Sequence, residues 1–444
     1  MNKIVRIVVT DLFGFLKHDV TLKDDGVTFI HGPNGCGKTT FLRLIASFFE
    51  WDISLLNETK FHKLFFYYSD ETYLEIEKCI EIKTFEEEEI EIPALSFSLY
   101  EDGEIENEYT HKRNIKGREI PASQIDEYIP FLHRINPKTW IDVRTEERMT
   151  YFEVLERFHH RLPFSSSKRR PDWLQELQEN AKLHFVQTQR LLKVSRARRN
   201  RGEEESVTNV IDIYSNEIKD TISQRLAYSA AVSQSKDRSF PQRLLSMRLD
   251  QSLSEEKIRE DYKATEDKIE KLMLSGLIEQ EKNISLPDKE FEATEKKVLS
   301  LYLQDINEKL SVFDDLLVRV ENFLSIVSSK LRNKTFKVSS KDGFLIETTQ
   351  GKTQTLMPSQ LSSGEQHQIV LFYELIFKTS DNSFFLIDEP EISLHIDWQR
   401  QFITDISRVA SLGQHTFVVA THSPQIIASR RDLAIALDGG ILND

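Results

Sequence analysis

The sequence has 444 residues, 39% hydrophobic and 29% charged, with a formal net charge of −14. This composition fits a soluble globular protein of two or three domains and argues against a surface coated in nucleic acid, although net charge hides local patches. No run approaches the ~18 consecutive apolar residues of a membrane span. With only Cys36 and Cys79, a disulfide framework and a zinc cluster are both excluded. The first residues, Met1-Asn2-Lys3-Ile4-Val5-Arg6, run straight into a strand without a signal-peptide pattern, and a reducing cytoplasm is the expected location.

Taken in chain order, residues 4–9, 19–22 and 27–30 read as strands, with Phe13-Gly14-Phe15 in the first turn. An aromatic there either stacks on a base or plugs a core, and the residues alone leave both open. The third strand feeds Gly32-Pro33-Asn34-Gly35-Cys36-Gly37-Lys38-Thr39, which fits Gly-x-x-x-x-Gly-Lys-Thr and continues as an apolar helix. Strand, glycine-rich loop and helix in this order make a phosphate site: backbone N–H groups converge on an anion and the helix dipole adds to the attraction. Lys38 would reach the β- and γ-phosphates, and the Thr39 hydroxyl would hold Mg²⁺. Gly32, Asn34, Gly35, Gly37, Lys38, Thr39 and Thr40 are therefore the candidate nucleotide-binding residues.

Residues 61–109 alternate as half-buried strands do, predicting an antiparallel sheet, and Glu86–Glu91 reads as a solvated hairpin tip. Residues 110–140 are irregular, punctuated by Pro121, Pro130 and Pro137. Residues 184–192 read as a buried strand ending in polar groups. A glutamine there would face Mg²⁺ and sense the γ-phosphate, with Gln189 the first choice and Gln187 the second. Six of the twelve residues 190–201 are basic, and Lys168-Arg169-Arg170 makes a second cluster. A nucleic-acid backbone contact and a solvated loop paired with acidic faces are equally open readings of this cluster. From Thr208 to Lys330 the apolar spacing is helical, broken at Ser285–Asp288. It predicts a hairpin or short coiled coil with arms of about 40 residues, roughly 60 Å each. Two strands follow around a Lys341-Asp342-Gly343 turn.

Four further motifs come next. Leu361-Ser362-Ser363-Gly364-Glu365-Gln366 opens a helix, and serine and glycine at a helix N-terminus again suit an anion. Phe384-Phe385-Leu386-Ile387-Asp388-Glu389 is an apolar strand ending in two carboxylates. Asp388 would hold Mg²⁺, and Glu389 would orient and polarise the attacking water. Pro390–His395 follows, and Thr416–Pro424 places His422 at another strand end, near the γ-phosphate.

This ordered set resembles the ATP-binding cassette ATPases of the SMC/RecF/OLD branch: Walker A at 32–39, signature at 361–366, Walker B at 384–389, D-loop around 392–395 and switch His422. Ser363 stands where the family usually has glycine, and Glu365 where the transporter form has glutamine. The resemblance implies an α/β P-loop head, a mixed sheet with a flanking antiparallel sheet, carrying an inserted helical or short coiled-coil domain. The expected division is 1–150 for the first half of the head, 151–205 for a connecting segment, 206–332 for the helical insert and 333–444 for the second half. It further implies that two heads clamp ATP, with Ser362, Ser363, Gly364 and Glu365 acting on the nucleotide of the partner, so that hydrolysis is slow and depends on assembly. A transporter motor is a poor match, because a whole helical domain separates Thr39 from Leu361.

No acidic cluster after His422 supplies the metal-binding Toprim nuclease of OLD proteins, so a separate effector is implied. Small heads of this kind resemble the ATPase subunits of two-gene bacterial anti-phage systems such as PARIS and Septu. Residues 140–145 and 237–244 also have the look of that group. The resemblance implies a homo-oligomer holding a Toprim-type or HNH-type nuclease, triggered by nucleic acid or a phage protein, with no membrane. A RecF- or SMC-like ATPase of DNA repair or maintenance is the alternative.

Overall fold

The computed structural model describes residues 3–85, 88–112, 129, 132–136, 139–142, 148–150, 154, 170–186, 191–199, 202–247, 254–279, 286–351, 353–392, 394–427, 430–437 and 440–441. The chain opens with strands β1 (Ile4–Leu12), β2 (Leu16–Thr21) and β3 (Val27–His31), then helices α1 (Lys38–Phe49) and α2 (Ile53–Glu58). Strands β4 (Lys63–Tyr68), β5 (Tyr73–Phe85), β6 (Glu88–Glu101), β7 (Glu104–Lys112), β8 (Leu132–Asn136), β9 (Thr139–Asp142) and β10 (Arg148–Thr150) follow, then α3 (Asp172–Ala181). Next come β11 (Leu183–Val186), β12 (Leu192–Arg199) and β13 (Gly202–Asn209), and helices α4 (Val210–Ser246), α5 (Glu255–Leu274), α6 (Ala293–Ser311) and α7 (Asp314–Ser328). The last part holds β14 (Lys334–Ser339), β15 (Gly343–Thr348), β16 (Thr355–Leu356), α8 (Ser363–Phe377), β17 (Phe384–Asp388), α9 (Ile396–Gly413), β18 (Thr416–Thr421), α10 (Pro424–Ile427), β19 (Ala434–Ala436) and β20 (Gly440–Ile441).

These elements form two compact units. The first comprises Met1–Leu22, Asn34–Lys182 and Leu437–Asp444. Its main sheet is antiparallel throughout, in the order β20-β2-β1-β4-β5-β6-β7. Alternation along β4 buries Leu64, Phe66 and Tyr68 on one face, as a half-buried strand requires. Helix α1 packs on that face through Phe48, whose ring lies 5.0 Å from Phe66 and 6.3 Å from Phe97. Gln178 of α3 donates to the Phe48 carbonyl near the C-terminal end of the same helix.

The second unit comprises Lys23–Pro33 and Leu183–Ala436. It is organised by a five-stranded parallel sheet in the order β11-β17-β18-β3-β19. A parallel sheet is covered on both faces, so its strands are apolar runs rather than alternations. All five residues of β17 are buried, and Phe385 stacks on Phe417 of β18 at 4.5 Å. The antiparallel sheet expected from residues 61–109 is present, and the strands expected around 27–30, 384–389 and 416–421 lie side by side in the parallel sheet.

The helical stretch differs from two equal arms. Helix α4 is a single rod of 37 residues, about 55 Å long, whereas the rest divides into α5, α6 and α7 of 20, 19 and 15 residues. Helix α6 packs against both α4 and α5. Arg243 of α4 holds Asp305 of α6 with two hydrogen bonds of 2.5 and 2.7 Å, and Lys236 pairs with Glu308 one turn away. Helix α5 ends in a left-handed glycine cap, the Leu277 N–H donating to the Leu272 carbonyl at 3.0 Å. Gly276 has φ +74, and a Cβ there would lie 1.9 Å from the Val338 carbonyl oxygen, so only glycine lets the chain turn this close to β14. The basic stretch lies in β12, antiparallel to β13, with Arg196 opposite Glu205 and Arg198 opposite Glu203 in register. Arg190, Arg201, Lys168 and Arg169 lie outside the described residues.

Gly276→Ala is expected to cost about 3 kcal/mol or more, combining left-handed strain with a backbone clash. Gly351→Ala carries the same strain at φ +79 with open space around it, and is expected to cost only about 1–2 kcal/mol. Urea denaturation of both variants separates the two terms.

Candidate functional site

In the first unit, residues 34–37 enter α1 through two left-handed glycines, Gly35 at φ 84 and Gly37 at φ 86, with Gly37 as the N-cap. A Cβ on Gly37 would meet Leu12 at 3.0 Å and Phe13 at 3.2 Å, so the loop is seated closely on the β1–β2 turn. Left-handed residues at 35 and 37 curl successive N–H groups into an anion-binding concavity. The first turn of α1 carries no acidic residue to oppose an anion. Lys38 is only 4% exposed, and its ammonium lies 3.7 Å from the Cys36 sulfur. Asn34 and Gly35 are exposed, while Gly32, Gly37, Thr39 and Thr40 are half-buried.

Beneath this loop sits His18, 1% exposed, with Nε2 at 2.8 Å from the Cys36 carbonyl oxygen. The carbonyl can only accept, so Nε2 donates. Nδ1 is buried without a hydrogen-bond partner among the described residues. Burial holds the His18 pKa below the ordinary imidazole value, against the opposing pull of the Cys36 and Lys17 backbone groups.

In the second unit, the apolar β17 delivers Asp388, 7% exposed, at its C-terminal end. Glu389 then takes φ +45, unusual for a residue with a side chain, and its N–H donates to the Ala420 carbonyl at 2.9 Å. Glu389 Oε1 stands 3.3 Å from His422 Nε2, both side chains about one-third exposed. The backbone carrying His422 is braced from Glu391, whose Oε1 accepts from the N–H of His422 at 2.5 Å and of Ser423 at 3.2 Å. The Ser423 hydroxyl donates to Gln399 of α9 at 2.6 Å. A carboxylate, an imidazole and a nearby buried aspartate at adjacent strand ends are equipped to orient a water and take its proton.

Helix α8 starts at a capping box. Ser362 Oγ accepts from the Glu365 N–H at 3.4 Å, and Glu365 Oε2 accepts from the Ser362 N–H at 3.0 Å. Glu365 Oε1 also accepts from Lys334 at 2.7 Å. Burial raises the Glu365 pKa, but the Lys334 ammonium and the Ser362 donors outweigh it and hold the carboxyl below its ordinary value. Ser362 and Ser363 are exposed and Gly364 half-buried, whereas Glu365 is buried.

The structure brings Glu389 to His422 and Ser362 to Glu365. Gln189 and Gln187 lie outside the described residues. Sequence reasoning passed over His18, Glu391 and Lys334. The first had a signal: Leu16, His18 and Val20 form the inward set of an alternating strand, so an imidazole was due to be buried. Glu391 and Lys334 act across 31 positions each, with no local pattern to mark them.

Strand, phosphate-type loop and helix, with a carboxylate pair and a histidine at the ends of parallel strands, define an α/β P-loop ATPase fold. The chain belongs to the AAA ATPase domain family, whose model matches residues 3–427. Part of it is similar to the UvrABC system protein A: 31% identical over 125 residues in Clostridium acetobutylicum and 33% over 121 residues in Borreliella burgdorferi. These matches take in 28% and 26% of this chain but only 13% and 12% of those longer proteins. Among solved structures, the chain is similar to the Smc head domain of Pyrococcus furiosus with an extended coiled coil, bound to the C-terminal domain of ScpA. That match has 14% identity and a TM-score of 0.37, over 99% of this chain and 95% of that one. The SMC head domain from Thermotoga maritima aligns at 10% identity and a TM-score of 0.30, over 96% and 91% of the two chains. No described helix is long and apolar enough to cross a membrane.

Lys334→Met removes the cation that holds Glu365 ionised in a buried setting. It is expected to cost about 1–3 kcal/mol at pH 7. Because the Glu365 pKa is lowered in the folded protein, its stabilising effect is present above its ordinary value of 4.5 and lost below it. The difference between variant and wild type is therefore full from pH 7 down to 4.5 and shrinks as the pH falls further, through the lowered folded-state value, measured by denaturant titration at each pH.

Proposed function

We propose that this chain binds ATP with Mg²⁺ and hydrolyses it, with Glu389 polarising the attacking water and His422 stabilising the γ-phosphate. The observation that carries this reading is Glu389, turned out of the end of a buried strand at φ +45 and set 3.3 Å from His422. Lys38 and the amides of residues 35–39 hold the phosphates. Thr39 and Asp388 supply hard oxygen ligands, the donor type that Mg²⁺ requires, and Gln189 is the further ligand expected from the motif order. Bound Mg²⁺ neutralises charge on the β- and γ-phosphates.

Two copies clamp the nucleotide in this reading, the exposed Ser362, Ser363 and Gly364 of one copy meeting the nucleotide of the other. Glu365 contributes by capping the helix that presents them. Hydrolysis is accordingly slow in isolated chains. The assembled heads form a sensor platform of a bacterial anti-phage system, in the cytoplasm, that restrains or licenses a separate nuclease of Toprim or HNH type. A nucleic acid or a phage protein is the trigger. A second reading, an ATPase of DNA repair or maintenance, is favoured by the similarity to the UvrABC system protein A.

Glu389→Gln is expected to lower the hydrolysis rate by about 10²–10⁴-fold while retaining ATP, locking copies together. Light scattering with and without ATP, on the variant co-expressed with the product of the neighbouring gene, reads the outcome. An ATP-dependent assembly that retains a nuclease supports the sensor platform. One that retains only DNA favours the repair reading, and a monomer in ATP overturns the clamp.

A further inference from the structure

The Cys36–Gly37 peptide is the pivot of the phosphate loop. A trans peptide is planar, and its C=O and N–H point in opposite directions. In the first unit the Cys36 carbonyl is bound by His18 Nε2 at 2.8 Å. The Gly37 N–H of the same peptide is therefore aimed away from His18. Gly37 is left-handed at φ 86, and glycine crosses between backbone regions with little steric resistance. Such a peptide flips readily unless one end is held. A flip would exchange the outward N–H for an outward C=O, replacing an anion donor with a dipole that repels phosphate.

His18 is built to prevent this. Its ring meets Phe41 edge-on at 5.8 Å, and its Nε2 would lie 3.4 Å from a Cβ on Gly37. Its neighbours along β2 are held in the sheet, Val20 opposite Ile7 and Leu16 opposite Leu12. The turn before it is also set. Phe13 is left-handed at φ 60 and its N–H donates to the Lys60 carbonyl at 2.8 Å, which presses Leu12 and Phe13 against Gly37.

We propose that His18 is a positioning residue for nucleotide binding: by holding the Cys36 carbonyl it locks the 36–37 peptide in the orientation that points the Gly37 N–H toward the phosphates. The inference rests on the reading of residues 32–39 as the phosphate-binding loop. It assigns His18 a role in affinity rather than in the chemical step. The lock consists of one neutral donor, so a side chain that returns an N–H to the same place restores it.

The test compares wild type with His18→Phe and His18→Met, which fill the space without a donor, and His18→Gln, which returns an amide donor. ADP and ATP affinity is measured by calorimetry, and KM and kcat by steady-state hydrolysis. The Gly37 amide is followed by ¹⁵N-glycine spectroscopy; the chain has 15 glycines, and a Gly37→Ala sample assigns the peak. The donor-free variants are expected to lose about tenfold in affinity and raise KM equally, with kcat at saturation within about twofold. The Gly37 amide should shift with ADP in wild type and lose that shift in the donor-free variants. His18→Gln should recover most of the affinity, an effect that a purely structural role for the ring does not produce. If the donor-free variants fold and bind as wild type does, or if Gln rescues nothing, the lock is wrong. Should His18→Phe fail to fold, His18→Met decides. If wild type itself binds neither nucleotide, the reading of the loop fails instead.

Discussion

The constraint on which this protein depends is that a buried parallel strand exposes polar chemistry only where it ends. Strand β17 is buried along its whole length, and nowhere inside it could an ionised group be hydrated. Asp388 and Glu389 therefore stand at its C-terminal end, and His422 just beyond the end of β18. Parallel pairing brings the two ends side by side: Asp388 is opposite Ala420 in the register. Placing the reactive groups beyond the carboxyl ends of parallel strands is the general solution for open α/β sheets.

The same constraint explains why so many backbone groups near the site are tied by side chains. Where regular pairing ends, N–H groups lose their ladder partners and need others. Glu391 supplies one carboxylate oxygen to two successive N–H groups after β18. Glu365 supplies one to the first N–H of the α8 region. His18 does the complementary task for a carbonyl, at the loop leading into α1. The His18 contact is buried and the Glu365 contact half-buried, where a hydrogen bond is stronger than in water, whereas the Glu391–His422 contact lies at the surface.

Much of the site was legible because its chemistry is local. A glycine pattern, an apolar run closing on two acids, and a serine three residues before a glutamate each express their physics within ten residues, and each took the expected secondary structure. The helical stretch was legible as helix but not as lengths. Periodicity marks where helix is favoured, whereas α5 stops at the left-handed Gly276, which the neighbouring Val338 keeps free of any side chain. The supporting groups were hidden for a similar reason. Lys334 reaches Glu365, in the first turn of α8, from strand β14, and nothing around either residue advertises the pair.

The sequence by itself determined the class of chemistry: a phosphate loop needs glycines at set spacings, and a carboxylate pair needs an apolar strand to carry it. Those are demands of covalent geometry and burial, written in neighbouring residues. Only the tertiary structure decided how each functional group is held, with His18 on the carbonyl of residue 36, Glu391 on the N–H groups of 422 and 423, and Lys334 on Glu365. These contacts join positions 18 to 32 residues apart, and a hydrogen bond depends on distance in space, which the order of residues does not encode.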